Sequence, residues 1–239
     1  SINCIYFDPP YNTGRNFFKF DDRFKSVDDY VTFMKYRIKE CFRCLTPCGN
    51  IVIHVEPKIS HYFRLICDEI FGINNFKNEI IWKTGGNAKN IYQLNRFHDT
   101  IIVYSKKGKG KSVFNPLYFP YDDEYKKRSN VKICEIHKKE YVTTALHNSQ
   151  PEVNPRPNLQ YDWKGNHKQW YVTKEKMIEL DKDNRLSYNK KNIPRIKRFL
   201  DEMDGIPLRD IWFDINNTQI GEKLKYATQK PVKLLERIV

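Results

Sequence analysis

The chain opens on a nearly unbroken apolar run, Ile2 to Phe7, that reads as a buried strand closed by Asp8-Pro9-Pro10-Tyr11. The period then lengthens. Ser26-Val27-Asp28-Asp29 has the form of a helix start with acids in its first turn, and Tyr30, Phe33, Met34, Ile38, Cys41 and Leu45 recur at helical spacing until Pro47 and Gly49 end the pattern. Ile51 to Val55 predicts a short strand. Ile59, Tyr62, Phe63, Ile66, Cys67 and Ile70 make a second helical stripe closed by Gly72. Asn78 to Trp82 and Thr100 to Tyr104 predict two more strands, separated by a polar segment around Gly85-Gly86-Asn87.

Strand, helix, strand, helix, strand in this order predicts parallel strands with helical crossovers, a doubly wound α/β sheet. The run Lys106-Lys107-Gly108-Lys109-Gly110-Lys111 breaks that pattern. Three regions follow: residues 1–111 as the first half of an α/β domain, 112–216 as an Asn-, Lys-, Pro- and Tyr-rich inserted subdomain, and 217–239 as a return segment, with Tyr226 to Val239 a loop entering a helix. Within the insert, one helix is expected after Thr173. A second is expected from Pro194, with Ile196, Phe199, Leu200 and Met203 on one face and Gly205 after it. Trp163 and Trp170 are expected in the core of this region.

At 239 residues and 40% hydrophobic content the chain can bury a substantial core. No apolar run approaches the roughly 20 residues of a membrane helix, and the N-terminus lacks a signal-peptide pattern, so a cytoplasmic protein without a membrane partner is expected. The net charge of +13 favours a polyanionic partner. Residues 1–105 carry +3 of it and residues 106–239 carry +10, so contacts to nucleic acid are expected in the later part. Of the six cysteines, Cys41, Cys44 and Cys48 are closely spaced, but Cys41 falls on a helical apolar stripe and no second ligand pair follows at metal spacing. No metal site is expected.

Asp8-Pro9-Pro10-Tyr11 ends a strand, where open α/β sheets place their chemistry. Two prolines fix the backbone and remove two N–H donors, which leaves a rigid acceptor patch beside an aromatic ring. An exocyclic amine on a planar heterocycle suits such a patch: a carboxylate and a loop carbonyl accept its two hydrogens while the ring stacks.

The tetrapeptide resembles the catalytic signature of the DNA amino-methyltransferases, and further segments in order resemble their beta class, which includes the modification subunits of type III restriction systems. These are Asn12-Thr13-Gly14 after the tetrapeptide, Gly49 to Val55 with the helix through Gly72, Asn78 to Trp82, His98 to Lys106, Tyr161-Asp162-Trp163 with Lys168-Gln169-Trp170, Asp210-Ile211-Trp212, and Tyr226-Ala227-Thr228-Gln229-Lys230-Pro231. The resemblance implies a Rossmann-like class I S-adenosylmethionine-dependent sheet with an inserted target-recognition subdomain, in a site-specific DNA methyltransferase that acts on a flipped-out base. Its catalytic residues would be Asp8, Pro9, Pro10 and Tyr11. Asp8, Thr228, Gln229, Lys230 and Pro231 would meet S-adenosylmethionine, and Tyr11, Asn12, Phe17 and His98 the target base. Asp at the head of the tetrapeptide favours adenine N6; cytosine N4 is the alternative target, and a non-catalytic DNA-binding relative the alternative of another kind. Double-stranded DNA is the expected partner, with a second copy of the chain or a restriction subunit as further ones. One departure stands out: no Phe-x-Gly-x-Gly cofactor loop occurs in residues 1–239. A fragment of a longer chain, or a second polypeptide that supplies the rest of the cofactor site, is therefore expected, with Ile2–Phe7 left as an apolar edge.

Overall fold

The computed structural model describes residues 2–14, 16–17, 20–85, 92–107, 112–218, 220–224 and 228–239, and no side chains at 16, 17, 20, 21 and 220. Its packing divides into two compact units, Ser1–Asn115 with Arg209–Val239, and Pro116–Leu208. The boundaries expected from the sequence, 111/112 and 216/217, differ from these by four and eight residues.

The first unit is built on β1 (Ile2–Phe7), α1 (Val27–Cys44), β2 (Leu45–Val55), α2 (Ser60–Phe71), β3 (Phe76–Lys83) and β4 (His98–Ser105). Ser26 caps α1 by accepting the Asp29 N–H at 3.0 Å, and α2 ends at Gly72, whose φ of 88° favours glycine. The sheet runs β1-β2-β4-β3 and then the short strand Ile211–Trp212. β1 pairs parallel with β2, and β4 pairs antiparallel with both β2 and β3, so the three strands joined by helices do share one direction. The fourth enters between two of them pointing the other way. Residues 84–97 link β3 to β4, which pairs with it antiparallel. β1 is the outermost strand on its side of this sheet. Tyr30, Met34 and Ile38 of α1 and Phe63, Ile66 and Cys67 of α2 pack with Ile51, Ile53 and Val55 of β2, with Cys41 at the margin of the same core.

Two expectations about boundaries fail. α1 ends at Cys44, and Pro47 and Gly49 lie inside the 11-residue β2 rather than terminating the helix. The early part of β2 is fixed by tertiary contacts: Lys106 Nζ donates to the Leu45 carbonyl, Thr46 Oγ1 donates to Asn3 Oδ1, and a side chain at Gly49 would meet the Ile2 carbonyl at 2.9 Å.

In the second unit, β5 (Glu140–Ala145), β6 (Gln160–Trp163), β7 (Asn166–Gln169), α3 (Lys174–Lys182), β8 (Leu186–Tyr188) and β9 (Pro194–Phe199) are the main elements. The helix expected after Thr173 forms, with Thr173 as its cap. The one expected from Pro194 does not: that segment is β9, paired antiparallel with β5 and β8 and followed by a single 3-10 turn at Leu200–Glu202. The turn before it decides. Asn189 Oδ1 accepts the N–H groups of Lys191 and Ile193, and Asn192 takes φ 55°, which closes a hairpin that sets Tyr188 opposite Pro194. Trp163 and Trp170 are core residues, packed with Leu146, Met177, Leu180 and Leu186.

The charge of the later part is divided among its segments. Of the +10 beyond Ser105, residues 106–115 carry +4, residues 116–208 carry +4 and residues 209–239 carry +2, so the compact second unit does not hold the bulk of it.

Candidate active site

β1 delivers Asp8 to the C-terminal edge of the sheet, and the following loop is held from beneath by two residues of later elements. Asp22, buried, accepts the N–H of Asn12 at 2.9 Å through Oδ1, and the N–H and hydroxyl of Thr13 at 2.9 and 2.6 Å through Oδ2. These bonds fix Asn12 at φ 53°, a left-handed conformation that asparagine tolerates. Tyr30, from the first turn of α1, donates its hydroxyl to the Pro10 carbonyl at 2.8 Å. The proline corner is thus set by fold contacts as well as by its rings.

On the open side, Asp8 Oδ1 accepts the Tyr11 hydroxyl at 2.9 Å and Oδ2 accepts Lys230 Nζ at 2.7 Å. Lys230 lies 5.7 Å from the centre of the half-buried Tyr11 ring. Burial, followed by the charges of Asp8 and Asp99, pushes the Tyr11 phenol well above its ordinary value, which keeps it a donor.

Behind Tyr11 stands a polar chain that crosses three strands. The fully buried His54 of β2 meets the Tyr6 hydroxyl of β1 at Nδ1, 2.6 Å, and Asp99 Oδ2 of β4 at Nε2, 2.9 Å. With the proton on Nε2 facing the carboxylate, Nδ1 accepts from Tyr6. The Tyr11 and His54 rings are 6.5 Å apart, and Trp82 of β3 closes on His54 at 5.4 Å.

Asp8, Tyr11 and Lys230 are therefore brought together across 222 residues of chain. Gln229 serves its own loop: its side chain accepts the Leu224 N–H and donates to the Glu222 carbonyl, and Thr218 Oγ1 donates to its carbonyl. Pro231 caps the helix Val232–Ile238, and Thr228 lies in the turn before it. This segment borders a polar cleft lined by Asp214, Asn216, Glu222, Val232, Lys233 and Glu236. Asp214 is held below the usual carboxylate range by Arg237. His98 opens β4 opposite Lys83, half-buried, and its neighbour Asp99 is the group that binds His54. The Phe17 side chain, Tyr226 and Ala227 lie outside the described residues. Sequence reading missed Tyr6, Asp22, Tyr30, His54 and Asp99. One signal was legible: a histidine within the otherwise aliphatic Ile51–Val55 run needs buried partners.

The chain matches the DNA methylase family (N6_N4_Mtase) over residues 2–239. It is similar to the type II methyltransferase M.EcaI of Enterobacter cloacae, 28% identical over 98% of this chain and 53% of that protein. It is also similar to the StyLTI Mod subunit of a type III restriction-modification enzyme from Salmonella typhimurium, 22% identical over 100% of this chain and 42% of that one. The chain thus spans about half the length of these curated relatives. The solved complex of M1.HpyAVI with S-adenosylmethionine aligns over 51% of each chain at 19% identity and a TM-score of 0.33, an overlap too partial to bear on the fold.

Proposed function

Because the chain belongs to the DNA methylase family, we propose that it carries the target-base site of a site-specific DNA methyltransferase acting on the N6 amine of an adenine flipped out of duplex DNA. The observation that carries this reading is the acceptor corner: a carboxylate, Asp8, on a backbone locked by Pro9, Pro10, Asp22 and Tyr30, beside the Tyr11 ring. An adenine amine is a weak nucleophile because its lone pair is delocalised into the ring. Acceptors for both N–H groups favour pyramidal nitrogen, and their preorganisation lowers the barrier. Asp8 takes one hydrogen. Tyr30 already engages the Pro10 carbonyl, so the Pro9 carbonyl is the better acceptor for the other. The proton leaves after methylation, when the nitrogen is cationic and acidic, and Asp8 need not be a strong base.

S-adenosylmethionine, the methyl donor of this family, supplies an electrophilic methyl group. The residues present fit its amino-acid end. Asp8 and Lys230, opposite charges in contact at 2.7 Å, complement an ammonium and a carboxylate, with Thr228 and Pro231 beside Lys230 and Gln229 holding the loop in place. Asn12, Phe17 and His98 remain candidates for the rim of the base pocket. Recognition of flanking sequence is assigned to Pro116–Leu208, where His147, Asn148, Ser149, Gln160, His167 and Lys168 line a polar cleft with donors and acceptors suited to base edges and phosphates. Double-stranded DNA is its proposed partner, and a place within a restriction-modification system fits the description of the StyLTI Mod subunit.

The test is to incubate the intact protein with S-adenosylmethionine and unmodified DNA, digest the DNA to nucleosides and weigh them. N6-methyldeoxyadenosine is expected. N4-methyldeoxycytidine instead would overturn the choice of base, and no methylated nucleoside would overturn the transferase.

A further inference from the structure

The link between β3 and β4 leaves the sheet at the edge that carries Asp8, because β3 runs in the same direction as β1. Adjacent strands lie about 4.8 Å apart, so the start of β4 at His98, two places from β1, lies within roughly 10 Å of the strand end that carries Asp8. Two contacts tie the returning arm of the link there. Arg96 pairs with Glu56, the residue directly after β2, and the Thr84 N–H donates to the Phe97 carbonyl at 2.8 Å. Three residues past Arg96, Asp99 holds His54 beneath Tyr11.

Between these anchors and the solvent stand side chains that are out of place on an ordinary loop. Leu94 is 93% exposed and Tyr92 92%, with Phe97 at 41% beside the anchor. Scattered apolar residues on a surface need no explanation, but apolar side chains raised together at the mouth of a site do. The reaction assigned to that site creates a matching need. Extruding a base removes its stacking partners and leaves a gap one base step wide, and proteins that open duplexes insert Leu, Phe or similar side chains between base steps.

We propose that Leu94, flanked by Tyr92, is a wedge that enters duplex DNA from the catalytic edge and fills the space vacated by the target base. Its partner is the interior of a DNA duplex: apolar base faces reached between two phosphate strands. The inference rests on the proposed base-methylating reading of the Asp8 corner and adds to it the element that stabilises the open duplex.

The experiment uses the intact protein, with the methylated position first mapped by sequencing modified DNA. Two duplexes carry that site, one with the target base paired and one with an abasic position opposite it, where extrusion breaks no base pair. Leu94→Ser should lower kcat/KM on the paired duplex about tenfold, as expected when part of an unpairing cost of a few kcal/mol is no longer offset. On the duplex with the abasic position it should stay within about twofold of wild type by the same principle, and Leu94→Met should restore the paired duplex. Because the side chain is exposed, the substitution leaves folding intact, which a thermal melt checks. Equal loss on both duplexes, or no loss on the paired one, overturns the wedge while the methylation reading stands. Wild-type protein that methylates neither duplex overturns that reading and the wedge with it.

Discussion

The two compact units use buried polar side chains differently. In the unit carrying Asp8, Asp22 and His54 are buried far from one another in sequence, and both bear on the same surface loop: Asp22 by binding Asn12 and Thr13, His54 by backing Tyr11. In Pro116–Leu208, the buried polar groups tie segments of the unit's own scaffold to one another. Gln169 accepts the Arg156 N–H at 2.7 Å and donates to the Asn154 carbonyl at 2.9 Å, and Cys134 meets His137 at 3.3 Å within one turn. Polar groups inside a protein have to be paired. Where the pairing ties scaffold segments to one another it reads as scaffold, and where it supports the loop that presents Asp8 and Tyr11 it reads as a site.

Substitutions can break this contrast, from the largest expected effect down. Trp170→Ala, removing the fully buried centre of the second unit and its Nε1 bond to the Tyr161 carbonyl, should cost roughly 3–5 kcal/mol of stability in urea unfolding. A small loss would mean that this unit is not held by its tryptophan core. Asp8→Ala should lower kcat by about 10²- to 10³-fold, some 3–4 kcal/mol, with an unchanged melting temperature. A methylation rate close to wild type would sink the acceptor role.

Asp22→Ala tests the support rather than the chemistry. It leaves three donors of the loop without their carboxylate and should lower stability by roughly 2–3 kcal/mol, with kcat falling in parallel. Stability lost with kcat intact would mean that the loop needs no support from below. Tyr11→Ala should weaken the complex with DNA by roughly 1–3 kcal/mol, the worth of one stacked base, while Tyr11→Phe should cost much less. Equal effects of the two in a binding titration would replace stacking by the hydroxyl bond to Asp8.

The smallest effect on methylation belongs to Cys134, whose thiol is pushed down to about 6 from an ordinary 9.0 by hydrogen bonds from His137. The unfolded chain then binds more protons between these values, so stability rises with pH across that window, is fully present above the unfolded value and is lost as pH falls through about 6. Cys134→Ser should flatten the rise of melting temperature from pH 6 to 9 and leave methylation unchanged. A slope identical to wild type would show that the thiolate does not form.

Ile2–Phe7 with Asp8-Pro9-Pro10-Tyr11, the two amphipathic stripes of α1 and α2, and the cap at Thr173 were all decided by neighbours within a few residues, and period and capping chemistry displayed them. The Pro194 segment shows where that ends. Its apolar residues satisfy a helical face, but β5 and the Asn189–Asn192 turn offered it a ladder, and pairing between strands distant in the chain outweighed local propensity. The site divides in the same way. Asp8, Tyr11 and Lys230 stood in recognisable strings, while Asp22, Tyr30, His54 and Asp99 matter only through partners that folding brings to them. A hydrogen bond between residues 10 or 45 positions apart leaves no period behind it, and only the packed sheet decides that it forms.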